Sequence, residues 1–180
     1  MDDASATLLA RIQQHDPQAL ADVYDRYFDQ LYRYLNYRLG EVEVAADLTG
    51  EVFLALANAL QKGKPPQTSL SGWLYTVARN LAADYIKEKM RTVALVEDMV
   101  SDEPSLTDQA HLAHLAPVLR EAILQLTEEQ QHVITLRFGQ ELSLAETAEI
   151  MEKSTGAVKA LQHRALASLA RFMPAAGGEG

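Results

Sequence analysis

Apolar residues recur along this chain at the three- and four-residue spacing of amphipathic helices, and no segment shows the strict alternation typical of a strand. The first apolar stripe begins after Asp16-Pro17, a pair that favours a helix start. It ends before Gly40, which predicts a left-handed C-cap. The residues predicted to be buried on it are Leu20, Tyr24, Tyr27, Leu31, Leu35 and Leu39. The pattern therefore predicts a long helix that ends at Leu39.

A second helix is predicted from about Val42 to Leu60. Its apolar stripe is formed by Ala45, Leu48, Val52, Leu56 and Leu60. Asp47 and Glu51 lie one turn apart on the other side of this helix. The segment 62–66 contains two prolines and a glycine, which end the helix and begin a loop.

A third helix is predicted from a cap at Ser69 or Ser71 to about Met90. Its core-facing residues are Trp73, Leu74, Val77, Ala78, Leu81 and Tyr85. A polar stripe on the same helix consists of Thr76, Asn80, Asp84 and Lys87, with Arg79, Lys89 and Arg91 beside it. Such a stripe is ordinarily a solvated surface, so the pattern alone does not assign it a function.

The segment 92–116 has a different composition from its flanks. It contains five acidic residues and a proline but no Lys or Arg. We interpret it as a flexible acidic linker between a first domain, residues 1–91, and a second domain, residues 117–173. Residues 174–180 are rich in glycine and are predicted to be a disordered tail.

The second domain carries a helix-turn-helix signal. Capping boxes at Thr127–Gln130 and Ser143–Glu146 each predict a helix start, the first helix ending at Gly139, and Ser154 offers another N-cap soon afterwards. Two helices this close predict a helix-turn-helix, whose second helix can enter the major groove of DNA. The inward residues of that helix are predicted to be Val158, Leu161, Ala165, Leu169 and Phe172. The outer face is then formed by Lys159, Ala160, His163 and Arg164.

The charge of the second helix of this motif supports a nucleic-acid-binding surface there. The whole chain has a formal net charge of -9, yet the segment 153–172 contains basic residues and no acidic one. A basic face on an acidic protein indicates contact with phosphates. The alternative is a solvated helix face beside a core stripe, and the capped helix and tight turn that precede it favour DNA.

Composition excludes several classes of protein. The chain has no cysteine, so disulfides and thiolate metal sites are absent, and its five histidines are scattered, so we expect no metal and no cofactor. No nucleophile, base and orienting group occur at a recognisable spacing, so an enzyme is not expected. No apolar run reaches the length of a signal peptide or a membrane span, and we expect a soluble cytoplasmic protein without membrane insertion.

The predicted fold is all-α, with two small helical domains, the second containing the helix-turn-helix. Two functional alternatives remain open at this point. One is a stand-alone helix-turn-helix transcriptional regulator, which would bind spaced half-sites as a dimer. The other is a helical protein-interaction module whose basic faces are only surface.

Three segments together resemble bacterial sigma factors of the sigma-70 family, of the small extracytoplasmic-function type that keeps the second and fourth conserved regions. They are DLTGEVFLALANAL at 47–60, GWLYTVARNLAADYIKEKMR at 72–91, and LTEEQQHVITLRFGQELSLAETAEIMEKSTGAVKALQHRAL at 126–166. The most specific is the tryptophan followed by A-R-N-x-x-x-D-Y in the second segment. The resemblance implies a protein that is not an enzyme itself, binds RNA polymerase core, directs it to promoter DNA and assists opening.

The same resemblance implies roles for individual residues. Asp47 and Glu51 match positions that bind the polymerase core, and Asn80 and Asp84, with the loop 63–71, match the surface that captures an unpaired base of the -10 element. The residues that would hold the DNA backbone there are Arg79, Lys87 and Arg91. The residues that match the -35 reading positions are Lys159, Ala160, His163 and Arg164. An anti-sigma factor is a further expected partner.

This chain also departs from the family pattern at three positions. Gly50 stands where a glutamine is usual, and a glycine inside a helix costs about 1 kcal/mol relative to alanine. Glu152 replaces the usual glycine of the helix-turn-helix corner, where a left-handed conformation would cost a side chain roughly 1–2 kcal/mol. Lys153 follows it in place of an apolar residue.

Overall fold

A computed structural model describes residues 3–96 and 118–172, and all the regular structure in these ranges is helical, as predicted. The helices are α1 (Asp3–Gln13), α2 (Ala19–Leu39), α3 (Val42–Gln61), α4 (Leu70–Val96), α5 (within 118–124), α6 (Glu128–Ile134), α7 (Leu144–Ile150) and α8 (Thr155–Phe172). A π-helical turn, Thr135–Gly139, continues α6. Most of the predicted linker and the whole predicted tail lie outside the described residues.

Helices α1 to α4 form the first bundle. Its centre consists of fully buried aliphatic side chains, among them Val23, Leu31, Leu35, Val52, Leu56 and Leu74. Burial of each such side chain contributes about 1.5–3 kcal/mol, so the stripes predicted on α2, α3 and α4 account for most of this core. The prediction for Tyr24 was wrong: it is 44% exposed and packs against the rings of Phe28 and Phe53, while Tyr34 is buried instead.

Helix ends follow the local signals in most places. Gly40 has φ 71° and ends α2 as a left-handed C-cap, and the Ser69 hydroxyl accepts a hydrogen bond from the Gly72 amide (3.0 Å) at the start of α4. Helix α4 continues to Val96, beyond the predicted end at Met90. The helix therefore extends into the segment that composition assigned to the linker.

Helix α1 was not predicted from the sequence. Leu8, Leu9 and Ile12 are buried in the first bundle. The Arg11 guanidinium pairs with both Asp16 and Asp22 at 2.6 Å, so α1 is also joined to the start of α2. The acidic residues around this helix obscured its short apolar stripe.

Helices α5 to α8 form the second bundle, around Val133, Ile134, Val158, Leu161 and Ala165. Both predicted capping boxes are present, with each N-cap hydroxyl accepting from the N3 amide and each N3 side chain accepting from the N-cap amide. The prediction for Phe172 was wrong: it is the last residue of α8 and is largely exposed.

Gly139 does not have the left-handed conformation of a helix C-cap. Glu141, two residues later, has that conformation instead, with φ 55°. A Cβ at residue 139 would come within 2.7 Å of the Tyr37 ring. Glycine is therefore required there because α2 approaches closely.

The two bundles pack against each other. Leu136 and Ile150, from the second bundle, are buried in the apolar core of the first. None of the helices in the described ranges combines the length and apolar character needed to cross a bilayer.

Candidate nucleic-acid interface

The α7–α8 pair is a helix-turn-helix. The two helices are separated by only four residues, 151–154, and the Ser154 hydroxyl accepts a hydrogen bond from the Ala157 amide (3.2 Å), as the predicted N-cap requires. Val158, Leu161 and Ala165 are buried against α6 and α7. The predicted reading residues Lys159, Ala160, His163 and Arg164 are all exposed, because they lie on the opposite face of α8. The helix therefore presents one face to its domain and the other to solvent.

The corner of this motif keeps its shape although glycine is absent. Glu152 has φ 51°, the left-handed conformation that glycine usually provides, at a cost of roughly 1–2 kcal/mol. Its carboxylate accepts a hydrogen bond from the Thr68 hydroxyl (2.7 Å), and the neighbouring Lys153 amine pairs with Glu129 at 2.9 Å. Lys153 thus pairs within the protein and lies apart from the exposed basic residues Lys159 and Arg164 of α8.

The polar stripe on α4 forms a second exposed surface. Asn80, Asp84, Lys87 and Arg91 are exposed along one side of the helix, as predicted. Lys87 lies 3.7 Å from the Glu128 carboxylate of α6, and Arg91 pairs with Glu88 at 2.7 Å. Both pairs are solvent-exposed and contribute little to stability, so both side chains remain accessible to a phosphate backbone.

Arg79 does not belong to this exposed set. Its Nε is buried and has no hydrogen-bond partner among the described residues, and its charge lies close enough to His132 to lower the pKa of that imidazole. The structure places Arg79 between the two bundles, on the side of α4 that faces α6. Adjacent residues on a helix point about 100° apart, so Arg79 and Asn80 cannot share a face.

The loop between α3 and α4, residues 62–69, borders the α4 surface. Gly63 has φ 64°, and the Lys64 amide donates to the Ala59 carbonyl (2.8 Å), so the chain turns sharply away from α3. Pro66 is buried, whereas Gln67 and Thr68 are exposed at the rim. A shaped loop beside a polar helix face is the arrangement that a flipped base requires.

Helix α3 carries the surface predicted to bind protein. Asp47 and Glu51 are both exposed there. They border a groove of about 710 Å³ between α2 and α3, which is also lined by Tyr24 and Leu54. Leu54 and Tyr24 are both exposed, and an apolar patch with a polar rim is typical of a protein-binding site.

Sequence reasoning assigned the two acids but missed Leu54 and Tyr24. Leu54 lies off the buried stripe of α3, which is the signal that would have identified it. Gly50 lies between the two acids, and a Cβ there would meet no atom within 4 Å. Glycine in place of the usual glutamine at position 50 therefore leaves open space on this surface and does not disturb the packing.

A buried polar network joins the two bundles. The Tyr34 hydroxyl lies 2.8 Å from Nδ1 of His132, and the Arg38 guanidinium donates to the Gln131 side-chain oxygen at 2.6 Å. Nearby, the Tyr75 hydroxyl donates to the Gln140 side-chain oxygen at 2.7 Å. Because buried polar groups cost free energy when they lose their partners, these bonds favour one closed arrangement.

Burial, together with the positive charges of Arg79 and Arg38, lowers the pKa of His132 to about 3. The imidazole is therefore neutral in the closed arrangement at neutral pH. An exposed histidine has a pKa of about 6.5, so closure carries no protonation cost above that pH. As the pH falls from about 6.5 towards 3, the open arrangement binds the proton first and closure loses free energy.

Two segments of the chain match known protein families. Residues 23–92 match the family Sigma-70 region 2, and residues 122–171 match the family Sigma-70, region 4. The first match contains α2 to α4 up to residue 92, with Asp47, Glu51 and the polar stripe of α4. The second contains the helix-turn-helix. Helix α1 lies outside both.

Individual relatives agree with the family matches. The chain is 37% identical over 171 residues to the ECF RNA polymerase sigma factor BldN of Streptomyces coelicolor, covering 93% of this chain and 65% of that protein. It is 31% identical over 161 residues to the ECF RNA polymerase sigma factor SigX of Bacillus subtilis, covering 84% of this chain and 81% of that one. The fold is shared with the sigma factor RpoE of Bartonella quintana, solved in complex with the anti-sigma factor NepR, at a TM-score of 0.55 and 18% identity, covering 86% and 96% of the two chains.

Proposed function

The chain belongs to the sigma-70 family of RNA polymerase sigma factors, and on that premise we propose which of its surfaces hold the polymerase and which read the promoter. As a member of the extracytoplasmic-function type it is a non-catalytic subunit that directs RNA polymerase to promoters. The observation that supports the assignment is that the two family matches coincide with the two exposed polar faces. A stand-alone regulator would leave the match over 23–92 unexplained.

The proposed domains are residues 1–91 for core binding and the -10 element, and residues 117–173 for the -35 element, joined by the acidic segment 92–116. On α3, Asp47 and Glu51 bind the core beside the apolar groove. On α4, Asn80 and Asp84 receive an unpaired base, with Lys87 and Arg91 on the backbone. Arg79 is excluded from this set while the bundles are closed, since it lies between them.

Promoter reading requires the closed arrangement to open. Thr68 of the loop assigned to the -10 element touches Glu152, three residues before the start of α8, at 2.7 Å. The -35 and -10 elements are named for their positions before the transcription start, so they lie about 25 base pairs apart. At about 3.4 Å per base pair, this separation is roughly 85 Å of duplex. The two surfaces cannot reach both elements at once without separating.

Two further proposals follow from membership in the family. We place the protein in the cytoplasm, because its partner, the polymerase core, acts on the chromosome there. We also propose that an anti-sigma factor binds it, as NepR binds the Bartonella RpoE in the solved complex. A pull-down with the wild-type chain as bait, followed by a transcription assay with the captured protein, tests this partner.

Changing Lys159 or Arg164 to alanine is expected to weaken promoter use through the -35 element. Both side chains lie on the exposed face of α8. A good base contact contributes about 1–3 kcal/mol of discrimination, which corresponds to roughly 5- to 150-fold, whereas a phosphate contact lowers binding to all sequences alike. Transcription on wild-type and randomised -35 templates separates the two roles. Wild-type activity of both variants on the intact promoter would remove α8 from the reading surface.

Asn80→Ala is expected to impair promoter opening more than closed-complex binding. The side chain is exposed one turn from Asp84, on the helix that follows the loop 62–69, so it can hydrogen-bond to the edge of an extruded base. Permanganate reactivity of unpaired thymines reports opening on duplex DNA, and transcript yield is compared on duplex and pre-melted templates. The variant should be defective on duplex DNA and close to wild type on the pre-melted template. Equal defects on both templates would contradict the base-capture role.

A further inference from the structure

The loop 62–69 is bonded to α3 through the amides of residues 62–64, but its two prolines contribute no such bond. Prolines 65 and 66 have no backbone N–H, so neither can donate a hydrogen bond that would fix the loop. Within the loop, the Gln67 side-chain amide donates to the Pro65 carbonyl at 2.7 Å. The Pro66 carbonyl therefore depends on a donor from elsewhere in the protein.

Helix α1 provides that donor. Gln13, its last residue, donates from Nε2 to the Pro66 carbonyl at 2.9 Å and lies 3.5 Å from the Gln67 carbonyl. Pro66 itself is buried. The amide of one side chain thus contacts two consecutive carbonyls at the point where the loop meets the bundle.

The position of Gln13 is in turn fixed by its helix. Ile12 is only 1% exposed and belongs to the same core as Leu70 and Leu74, the first apolar residues of α4. Arg11, two residues before Gln13, pairs with Asp16 and Asp22. The end of α1 is consequently a rigid support that lies outside the family match at 23–92.

We propose that Gln13 is a positioning residue for base capture, which holds the loop 62–69 in the shape that receives the unpaired base of the -10 element. This inference rests on the proposed role of that loop. Gln13 need not touch DNA, because it acts through the Pro66 carbonyl. Without this donor, the Pro66 carbonyl would hydrogen-bond to water and the loop would adopt other conformations. Ordering the loop again would then reduce the free energy of binding the unpaired base.

The test is Gln13→Met, which keeps the length of the side chain and its neutrality but removes the donor. Gln14→Met, at the exposed neighbouring position, is the matched control, and Asn80→Ala reports on the base-capture site itself. Each full-length variant is assembled with polymerase core, and opening is measured on the intact promoter and on promoters with single -10 base changes. Thermal unfolding of each variant is recorded alongside.

Gln13→Met is expected to slow opening about two- to tenfold, the effect of losing one hydrogen bond, and to reduce discrimination between the correct and the changed -10 base. Its midpoint of thermal unfolding should match that of Gln14→Met. A purely structural role would instead lower activity on all templates equally and lower the unfolding midpoint, and that result would overturn the proposal.

The remaining outcomes separate this inference from the proposed function. If Asn80→Ala is defective and Gln13→Met behaves like wild type, the positioning role is wrong and base capture stands. If both behave like wild type, the base-capture surface is wrong and the inference falls with it. An equal defect in Gln14→Met would show that the end of α1 acts by its stability, which also overturns the role of the Gln13 amide.

Discussion

A cleavable crosslink between residues 68 and 152 is expected to reduce promoter-dependent transcription to background. The chain has no cysteine, so Thr68→Cys with Glu152→Cys creates a unique thiol pair for a short crosslinker that a reductant cleaves. Both side chains are exposed, and their oxygens are 2.7 Å apart in the closed arrangement. The crosslink prevents α8 from moving away from the loop 62–69, whereas the promoter elements require a separation of roughly 85 Å.

Run-off transcription with purified core, before and after cleavage of the crosslinker, is the measurement. Activity should return on cleavage, and each single-cysteine variant treated in the same way should remain active. Full activity of the crosslinked protein would show that promoter reading needs no opening. Failure of the two thiols to react with one crosslinker would contradict the closed contact itself.

Glu51→Lys is expected to reduce affinity for polymerase core by more than tenfold. Glu51 is exposed on α3 beside the groove that Leu54 and Tyr24 line, and reversal of its charge places like charges together in any interface selected for an acidic residue. Such juxtaposition costs several kcal/mol, and about 1.4 kcal/mol is tenfold in affinity. Unlike Lys159→Ala or Asn80→Ala, Glu51→Lys should lower transcription from every promoter alike, because without core no promoter is used.

The matched control is Glu43→Lys, an equally acidic and exposed position in the first turn of the same helix. It makes the same change in net charge but lies two turns away from Glu51 and does not line the groove. Competition of each variant with labelled wild-type protein for a limiting amount of core measures the affinity. Equal affinities of Glu51→Lys and wild type would remove α3 from the core-binding surface, and equal losses in both variants would indicate a general effect of charge.

Local signals predicted most of the helices. The capping boxes at Thr127 and Ser143, the left-handed cap at Gly40 and the N-cap at Ser154 all depend on residues within a few positions of each other, so the sequence displays them directly. The exposed faces of α3, α4 and α8 were predicted for the same reason, since helical periodicity determines which residues oppose a buried stripe.

Contacts between distant residues were not predictable in this way. Tyr34 and Tyr24 both lie on α2 at apolar positions, and Tyr34 is buried because distant residues pack on it, Tyr75 of α4 and His132 of α6, the latter 98 residues away. The family resemblance assigned Arg79 to the DNA backbone, yet in the closed arrangement the residue is half-buried and its charge acts on His132 of the second bundle. Periodicity describes one helix at a time, whereas these side chains are positioned by the packing of two domains.

Glu152 departs from the family pattern, and its effect depends both on its own helix-turn-helix and on the packing of the two domains. Its positive φ was foreseen from the position it occupies in the helix-turn-helix, and the strain is present. Its carboxylate bonds to Thr68 in the other domain, a partner that a glycine could not have. The residue that costs free energy within its own motif thus contributes a contact to the closed arrangement.

The central claim is that this chain brings RNA polymerase core to promoters and assists opening. Run-off transcription with purified core and the wild-type chain, on a library of promoter fragments, tests it most directly. Discrete transcripts are expected only when both proteins are present, starting downstream of shared -35 and -10 elements. Transcripts that are the same with and without the chain, or starts with no shared elements, would contradict it.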